Sequence, residues 1–160
     1  MNCVFPGHDG NSFAMKRALL AFVSLLALGA QAAEVNVLVA PAARQAMTAL
    51  VPSFERQSGY RLALDYREGD LAAIASKDER IDVVVTTVAQ MGELTRAYRT
   101  MPDTRRTLGR TEPTAEAPQG IVLVIAALKG QHEEAGRAFT AYLTLPESIQ
   151  ALRRNGLASP

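Results

Sequence analysis

Ile81-Asp82-Val83-Val84-Val85-Thr86-Thr87 is the stretch that decides the fold. Its residues are almost all β-branched, which suits a pleated strand and crowds a helix. A β-branched run of this length, charged only at Asp82 and with three valines at its centre, belongs to a strand covered on both faces, as strands between helix layers are. Just after it the period changes. Val88, Met91, Leu94, Thr95 and Tyr98 recur in three- and four-residue steps, so a helix with one apolar face follows.

The same alternation extends in both directions. Upstream, Glu34-Val35-Asn36-Val37-Leu38-Val39-Ala40 is a second valine-rich strand, bounded by Pro41. Ala43, Ala46, Met47, Leu50, Val51 and Phe54 then mark a helix face that Gly59 closes. Pro52 lies inside this helix and removes one backbone donor, which predicts a kink. Residues 60–66 alternate as a strand, and residues 70–76 form a short helix opened by Asp70. Downstream, residues 121–128 are a continuous apolar strand, and Ala135, Ala138, Phe139, Tyr142 and Leu143 recur at helical spacing. A last helix opens with Pro146 and ends at Gly156. Leu145 stands at its N-cap position, so Leu145→Ser is expected to add roughly 0.5–1 kcal/mol. Between residues 100 and 120 the period vanishes and Pro102, Pro113 and Pro118 occur, which reads as a loop or linker. The whole predicts one α/β lobe of three layers with a mostly parallel sheet.

Composition removes other readings. The 160 residues carry 17 Lys+Arg against 16 Asp+Glu, a formal charge of +1 that exerts no general pull on nucleic acid or anionic lipid. One Cys forms neither an internal disulfide nor a thiolate metal cluster. Met15-Lys16-Arg17, the apolar run over 18–30 and the ending Ala30-Gln31-Ala32 make a secretory signal, cleaved before Ala33 and too short to span a bilayer. Residues 1–14 have no pattern and read as an extension ahead of a start at Met15. The expected mature chain, residues 33–160, loses Cys3, His8, Asp9, Lys16 and Arg17. It is therefore neutral and cysteine-free, which suits an oxidising compartment.

Three segments carry a resemblance. They are Ala33-Glu34-Val35-Asn36-Val37-Leu38-Val39-Ala40 with Leu50-Val51-Pro52-Ser53-Phe54-Glu55 and Ser58-Gly59-Tyr60; Ile81-Asp82-Val83-Val84-Val85; and Ala135-Gly136-Arg137-Ala138-Phe139 through Tyr142-Leu143-Thr144-Leu145-Pro146-Glu147 to Asn155-Gly156-Leu157. In this order they resemble the periplasmic molybdate-type, class II solute-binding proteins of ATP-binding-cassette importers. The resemblance implies a type II periplasmic-binding-protein lobe that captures a small solute, an oxyanion in that family, and presents it to a membrane permease. It implies the periplasm as location, no catalysis and no cofactor. Members of that family have two lobes, and here residues 100–120 stand in place of the second. The chain then resembles one jaw of a clamp, which a homodimer of two facing copies would complete. The other reading is a truncated accessory or protein-interaction module that binds no solute.

In open α/β sheets ligands bind beyond the carboxyl ends of strands, near helix N-termini. Three turns qualify, and the candidate ligand-binding residues are Ala42 and Ala43 in the first, Arg67, Gly69 and Asp70 in the second, and Thr86 and Thr87 in the third. Pro41 takes one donor from the first turn. Glu68 and Asp70 would repel a dianion, while Arg67 restores positive charge if it turns inward. A cationic or neutral solute fits these turns as well as an oxyanion. Asp70 also reads as a plain N-cap, and the two threonines as packing and capping residues.

Other candidates carry less. Asp82 sits at the start of its strand, the wrong end for a ligand. His132, beside Glu133 and Glu134, reads as a surface helix start without a metal-ligand set. Arg96, Arg99, Arg105, Arg106 and Arg110 are diluted by Asp103, Glu112 and Glu116, and read as a solvated loop. No Gly-x-Ser-x-Gly, phosphate loop or His-Glu-x-x-His occurs, so nothing in the sequence points to hydrolysis.

Overall fold

The computed structural model describes residues 33–158, and the expected extension over 1–14 and signal over 15–32 lie outside the described residues. The chain runs β1 (Glu34–Val39), a 3-10 turn (Pro41–Ala43), α1 (Arg44–Ser58), β2 (Arg61–Tyr66), α2 (Leu71–Lys77), β3 (Val83–Thr87) and α3 (Val88–Arg96). A second 3-10 turn (Pro102–Thr104) leads to β4 (Arg106–Thr111), β5 (Val122–Ala127), α4 (Glu133–Tyr142), α5 (Pro146–Arg154) and β6 (Leu157–Ala158). The six strands form one sheet in the order β2-β1-β3-β5-β4-β6.

The α/β lobe is as expected, but the sheet is mixed rather than mostly parallel. β1 pairs parallel with β2 and β3, while β3–β5, β4–β5 and β4–β6 are antiparallel. Continuous apolarity misleads here because it reports cover on both faces, not strand direction. Leu123 to Ala127 of β5 are all buried, as the strand of a parallel sheet would be.

Two crossovers of opposite sense create the layers, each right-handed by the general rule for such connections. β1–α1–β2 steps one way along the sheet and β2–α2–β3 steps back past β1, so the same handedness puts α1 and α2 on opposite faces. On the α1 face, Phe54 packs edge-on against Phe139 of α4 at 4.9 Å and against Tyr142 at 5.3 Å. Gly136 allows α4 to lie close to the sheet: a Cβ there would stand 3.1 Å from the Ala127 side chain and 3.3 Å from the Asp82 carbonyl. On the other face α2 and α3 bury Leu71, Ala75, Met91 and Leu94.

Several local expectations hold. Gly59 ends α1 in the left-handed region at φ 74°, Pro52 lies inside α1, and Asp70 caps α2. Others are corrected. The expected linker over 100–120 contains β4, which alternation could not reveal because a register shift between Thr107 and Gly109 interrupts its two-residue period. Val88 and Tyr98, assigned to a buried helix face, are 46% and 81% exposed. Helix α3 ends at Arg96, and Tyr98 turns the chain at a φ of 54°.

Candidate functional site

Parallel strands end where the next connection begins, so the order β2-β1-β3 lines up three turns at one edge of the sheet. Backbone bonds hold them side by side. The Ala40 N–H donates to the Val85 carbonyl at 2.9 Å, and the Arg67 N–H to the Val39 carbonyl at 3.3 Å. All seven sequence-predicted residues lie along this crest.

In the first turn the N–H of Ala43 closes on the Ala40 carbonyl at 2.9 Å and that of Arg44 on the Pro41 carbonyl. Ala42 is exposed and Ala43 buried. In the second turn the Arg67 guanidinium does not reach across the crest. It folds onto Asp65, with Nε and Nη2 each 2.8 Å from Oδ2, and this carboxylate raises the Arg67 pKa further above its ordinary value. Asp70 Oδ1 accepts the Ala73 N–H at 2.9 Å as the cap of α2, and Gly69 supplies the left-handed turn before it at φ 89°. In the third turn Thr87 Oγ1 accepts the Gln90 N–H at 3.4 Å as the cap of α3. Thr86 is fully buried and its hydroxyl donates to Gln90 Oε1.

Gln90 is the residue that the sequence reading missed. Its Nε2 donates to the Gly69 carbonyl at 2.9 Å while its Oε1 receives the Thr86 hydroxyl, so one side chain joins the second turn to the third. A signal was present: Thr87-x-x-Gln90 has the spacing of a capping box. In this chain the glutamine reaches across to the neighbouring turn. The crest therefore offers the starts of α2 and α3 and a set of pre-tied polar groups. This arrangement can hold a small polar solute.

The opposite end of the sheet is also polar. Asp82, 2% exposed, accepts the Asn36 N–H at 2.9 Å and stands 3.3 Å from His132 Nδ1. The reading of Asp82 as remote from the crest holds. His132 is more than a surface helix start, because the return of the chain through β5 brings it against Asp82 from 50 residues away. A groove of about 320 Å³ opens beside this pair, lined by Leu38, Asp65, Arg67, Arg80, Asp82 and His132. Of the seven predicted ligand residues only Arg67 lines it. In the same groove Arg80 bonds Asp78 at 2.8 Å and pulls that carboxyl down to about 2. Among the described residues no group of three or more His, Cys, Asp or Glu is placed to hold a metal ion.

The arginine run does not form one patch. Arg96 and Arg99 turn onto the Gly92 and Ala75 carbonyls, and Arg106 and Arg110 lie on opposite faces of β4 across its bulge.

No family model matches the sequence, and no curated protein matches it. Solved structures do match. A Clostridium difficile chain described as the substrate-binding domain of a molybdenum ABC transporter superposes with a TM-score of 0.70 at 10% identity, over 81% of this chain and 100% of that one. The periplasmic molybdate-binding protein of Azotobacter vinelandii gives 0.68 at 10% identity, over 79% and 99%. Iron-bound HitA from Pseudomonas aeruginosa gives 0.60 at 11% identity, over 78% and 85%. At these identities the likeness is one of fold: this chain carries the α/β arrangement of periplasmic binding proteins.

Proposed function

We propose that residues 33–160 are a single periplasmic solute-binding lobe, exported by a leader over 15–32. On this reading residues 1–14 precede the true start. The lobe captures a small solute at the crest and presents it to the membrane permease of an ATP-binding-cassette importer, with no covalent step. The observation that carries this reading is the alignment of the three turns, with two helix starts, at one edge of a sheet folded like those of binding proteins.

The ligand would meet the backbone at Ala42 and Ala43, the turn Arg67, Gly69 and Asp70, and the start of α3 at Thr86 and Thr87. Helix starts favour an anion, so an oxyanion is the first class to test. Calorimetric titration with molybdate, sulfate and ferric ion checks the reading. Saturable heat with a Kd of about 1 mM is expected with one of them, and no heat from any of these or from amino acids at about 10 mM overturns it.

A second reading has its own support. The side chains of Asp70, Thr86 and Thr87 are committed to internal bonds and Arg67 to Asp65. Such a crest also suits an accessory module that keeps the fold and contacts a protein instead of a solute.

A further inference from the structure

β2 stands at the end of the sheet, and its outer edge is unusual in composition and cover. Among the six-residue strands it alone has no buried residue: Arg61 and Asp65 are exposed, and Leu62, Ala63, Leu64 and Tyr66 are half-buried. The N–H groups of Arg61 and Arg67 point inward to β1, donating to the Ala33 and Val39 carbonyls. By the two-residue alternation of a strand, Leu62, Leu64 and Tyr66 turn their backbone groups outward. One of these is occupied, because Glu55 Oε1 accepts the Leu62 N–H at 2.9 Å. No proline or lysine blunts the strand.

We propose that this edge receives the same edge of a second copy, β2 against β2 in antiparallel sense across a two-fold axis. Charge selects the register. With the axis at Ala63, Arg61 stands opposite the other copy's Asp65 and Asp65 opposite its Arg61, on the face turned away from α1, where Asp65 also holds Arg67. On the other face Leu62 meets Leu64, and Tyr60 meets Tyr66. Moving the axis to Leu64 sets Arg61 against Arg67, and moving it to Asp65 sets two aspartates against each other. Only the Ala63 register pairs opposite charges twice and apolar side chains twice. In that register Leu62 and Leu64 exchange backbone hydrogen bonds. Glu55 then acts as a plug, since its carboxylate holds the Leu62 N–H that the partner strand requires.

This pair is not a clamp. A two-fold axis through antiparallel strands sends the two crests to opposite ends of a continuous twelve-strand sheet, twice the six of one copy, so each site stays open. The proposal therefore stands or falls apart from the solute-binding reading.

Sedimentation of the purified protein across a concentration series tests it. A dimer that grows with concentration is expected. Arg61→Asp and Asp65→Arg should each weaken it about tenfold or more, because each sets like charges opposite one another twice. The double variant R61D/D65R, with the charges exchanged, should return it to within about threefold of the parent. Glu55→Ala should tighten it by about tenfold by releasing the Leu62 N–H. Both charged side chains are exposed, so circular dichroism of the variants should match the parent, and loss of the exposed Arg67–Asp65 pair in Asp65→Arg should lower its urea midpoint only slightly. A protein that stays monomeric up to about 1 mM, where even weak pairing shows, overturns the proposal. So does association that ignores the single reversals, failure of the double variant to recover, or growth beyond the dimer.

Discussion

Replacing Gln90 with Ala cuts both bonds by which one side chain joins the second crest turn to the third. The two ends respond differently because they differ in burial. Thr86 is 0% exposed, so its hydroxyl stays in the interior after losing Gln90 Oε1. An orphaned buried hydroxyl costs about 1–3 kcal/mol. The Gly69 carbonyl is exposed and turns to water, which adds little. Alanine returns a few tenths of a kcal/mol in helix propensity. The net expectation for Gln90→Ala is a loss of about 1–2 kcal/mol. Thr86→Val keeps the shape and leaves a half-buried amide that water can reach, so it should cost about 0.5–1 kcal/mol. The double variant has no orphan and should lose about 1 kcal/mol less than the two single losses together. Urea unfolding reads this directly: with a slope of about 1–3 kcal/mol per molar, Gln90→Ala should lower the midpoint by roughly 0.5–1 M at unchanged slope. Losses that add to within about 0.3–0.5 kcal/mol would mean that Gln90 does not hold the Thr86 hydroxyl, and the crest would lose its tie.

Leu145 caps α5 without a side-chain bond, as its sequence position implied, yet it is only 37% exposed and lies beside Phe54, Ala138 and Ala141. Losing that apolar cover costs about 1–2 kcal/mol, more than the cap returns, so Leu145→Ser should leave the melting temperature unchanged or lower; a clear rise contradicts this balance. Ser148 is 0% exposed and its hydroxyl has no partner among the described residues, so Ser148→Ala should stabilise by about 1 kcal/mol in thermal or urea unfolding. Asp78 is held below its ordinary 3.8, at about 2, chiefly by the side-chain bond from Arg80. A depressed carboxyl favours the folded state above pH 3.8 and loses that contribution as pH falls through about 2. An NMR titration should place its midpoint near 2, and Arg80→Ala should return it towards 3.8. At Gly120, φ is 67° and a Cβ would stand 2.2 Å from the Thr111 carbonyl oxygen, so Gly120→Ala should cost about 2 kcal/mol or more by urea unfolding.

The sequence carries the fold where one local signal suffices. Valine runs mark β1 and β3, helical spacing marks α1 and α4, and Gly59, Asp70 and Pro146 mark helix ends. It fails where two distant segments must cooperate. β4 exists because Leu123 and its neighbours offer a partner, and its own period is broken at Leu108. The turn from parallel to antiparallel pairing at β5 leaves no trace in residue type. At the site, the caps at Asp70 and Thr87 were legible because each bonds three residues ahead. Gln90 and Gly69 are 21 residues apart, and Asp82 and His132 are 50 apart, so only the topology brings them together.

The connection between β4 and β5 bears on whether one lobe can act alone. Its strands stay bonded to their ends, with the Thr111 N–H on the Ile121 carbonyl and the Ile121 N–H on Thr111 Oγ1, both at 2.9 Å. Beyond them the Gly120 N–H donates to the Ala117 carbonyl at 2.8 Å, and Arg110 Nη1 to the Gln119 carbonyl at 2.8 Å. Polar groups of this connection thus find partners inside it, so on the proposed function the lobe works with no second jaw to complete it. The consequence falls on affinity. On the proposed function a solute at the crest keeps one side in water, where each hydrogen bond contributes about 0.5–1.5 kcal/mol net. Three or four such bonds reach only about 2–6 kcal/mol before the cost of immobilising the solute, which corresponds to millimolar binding or weaker. A lobe of that affinity is useful when the permease itself supplies the missing wall. Selectivity would then reside in the lobe–permease pair, and the solute should bind the pair far more tightly than the lobe by itself.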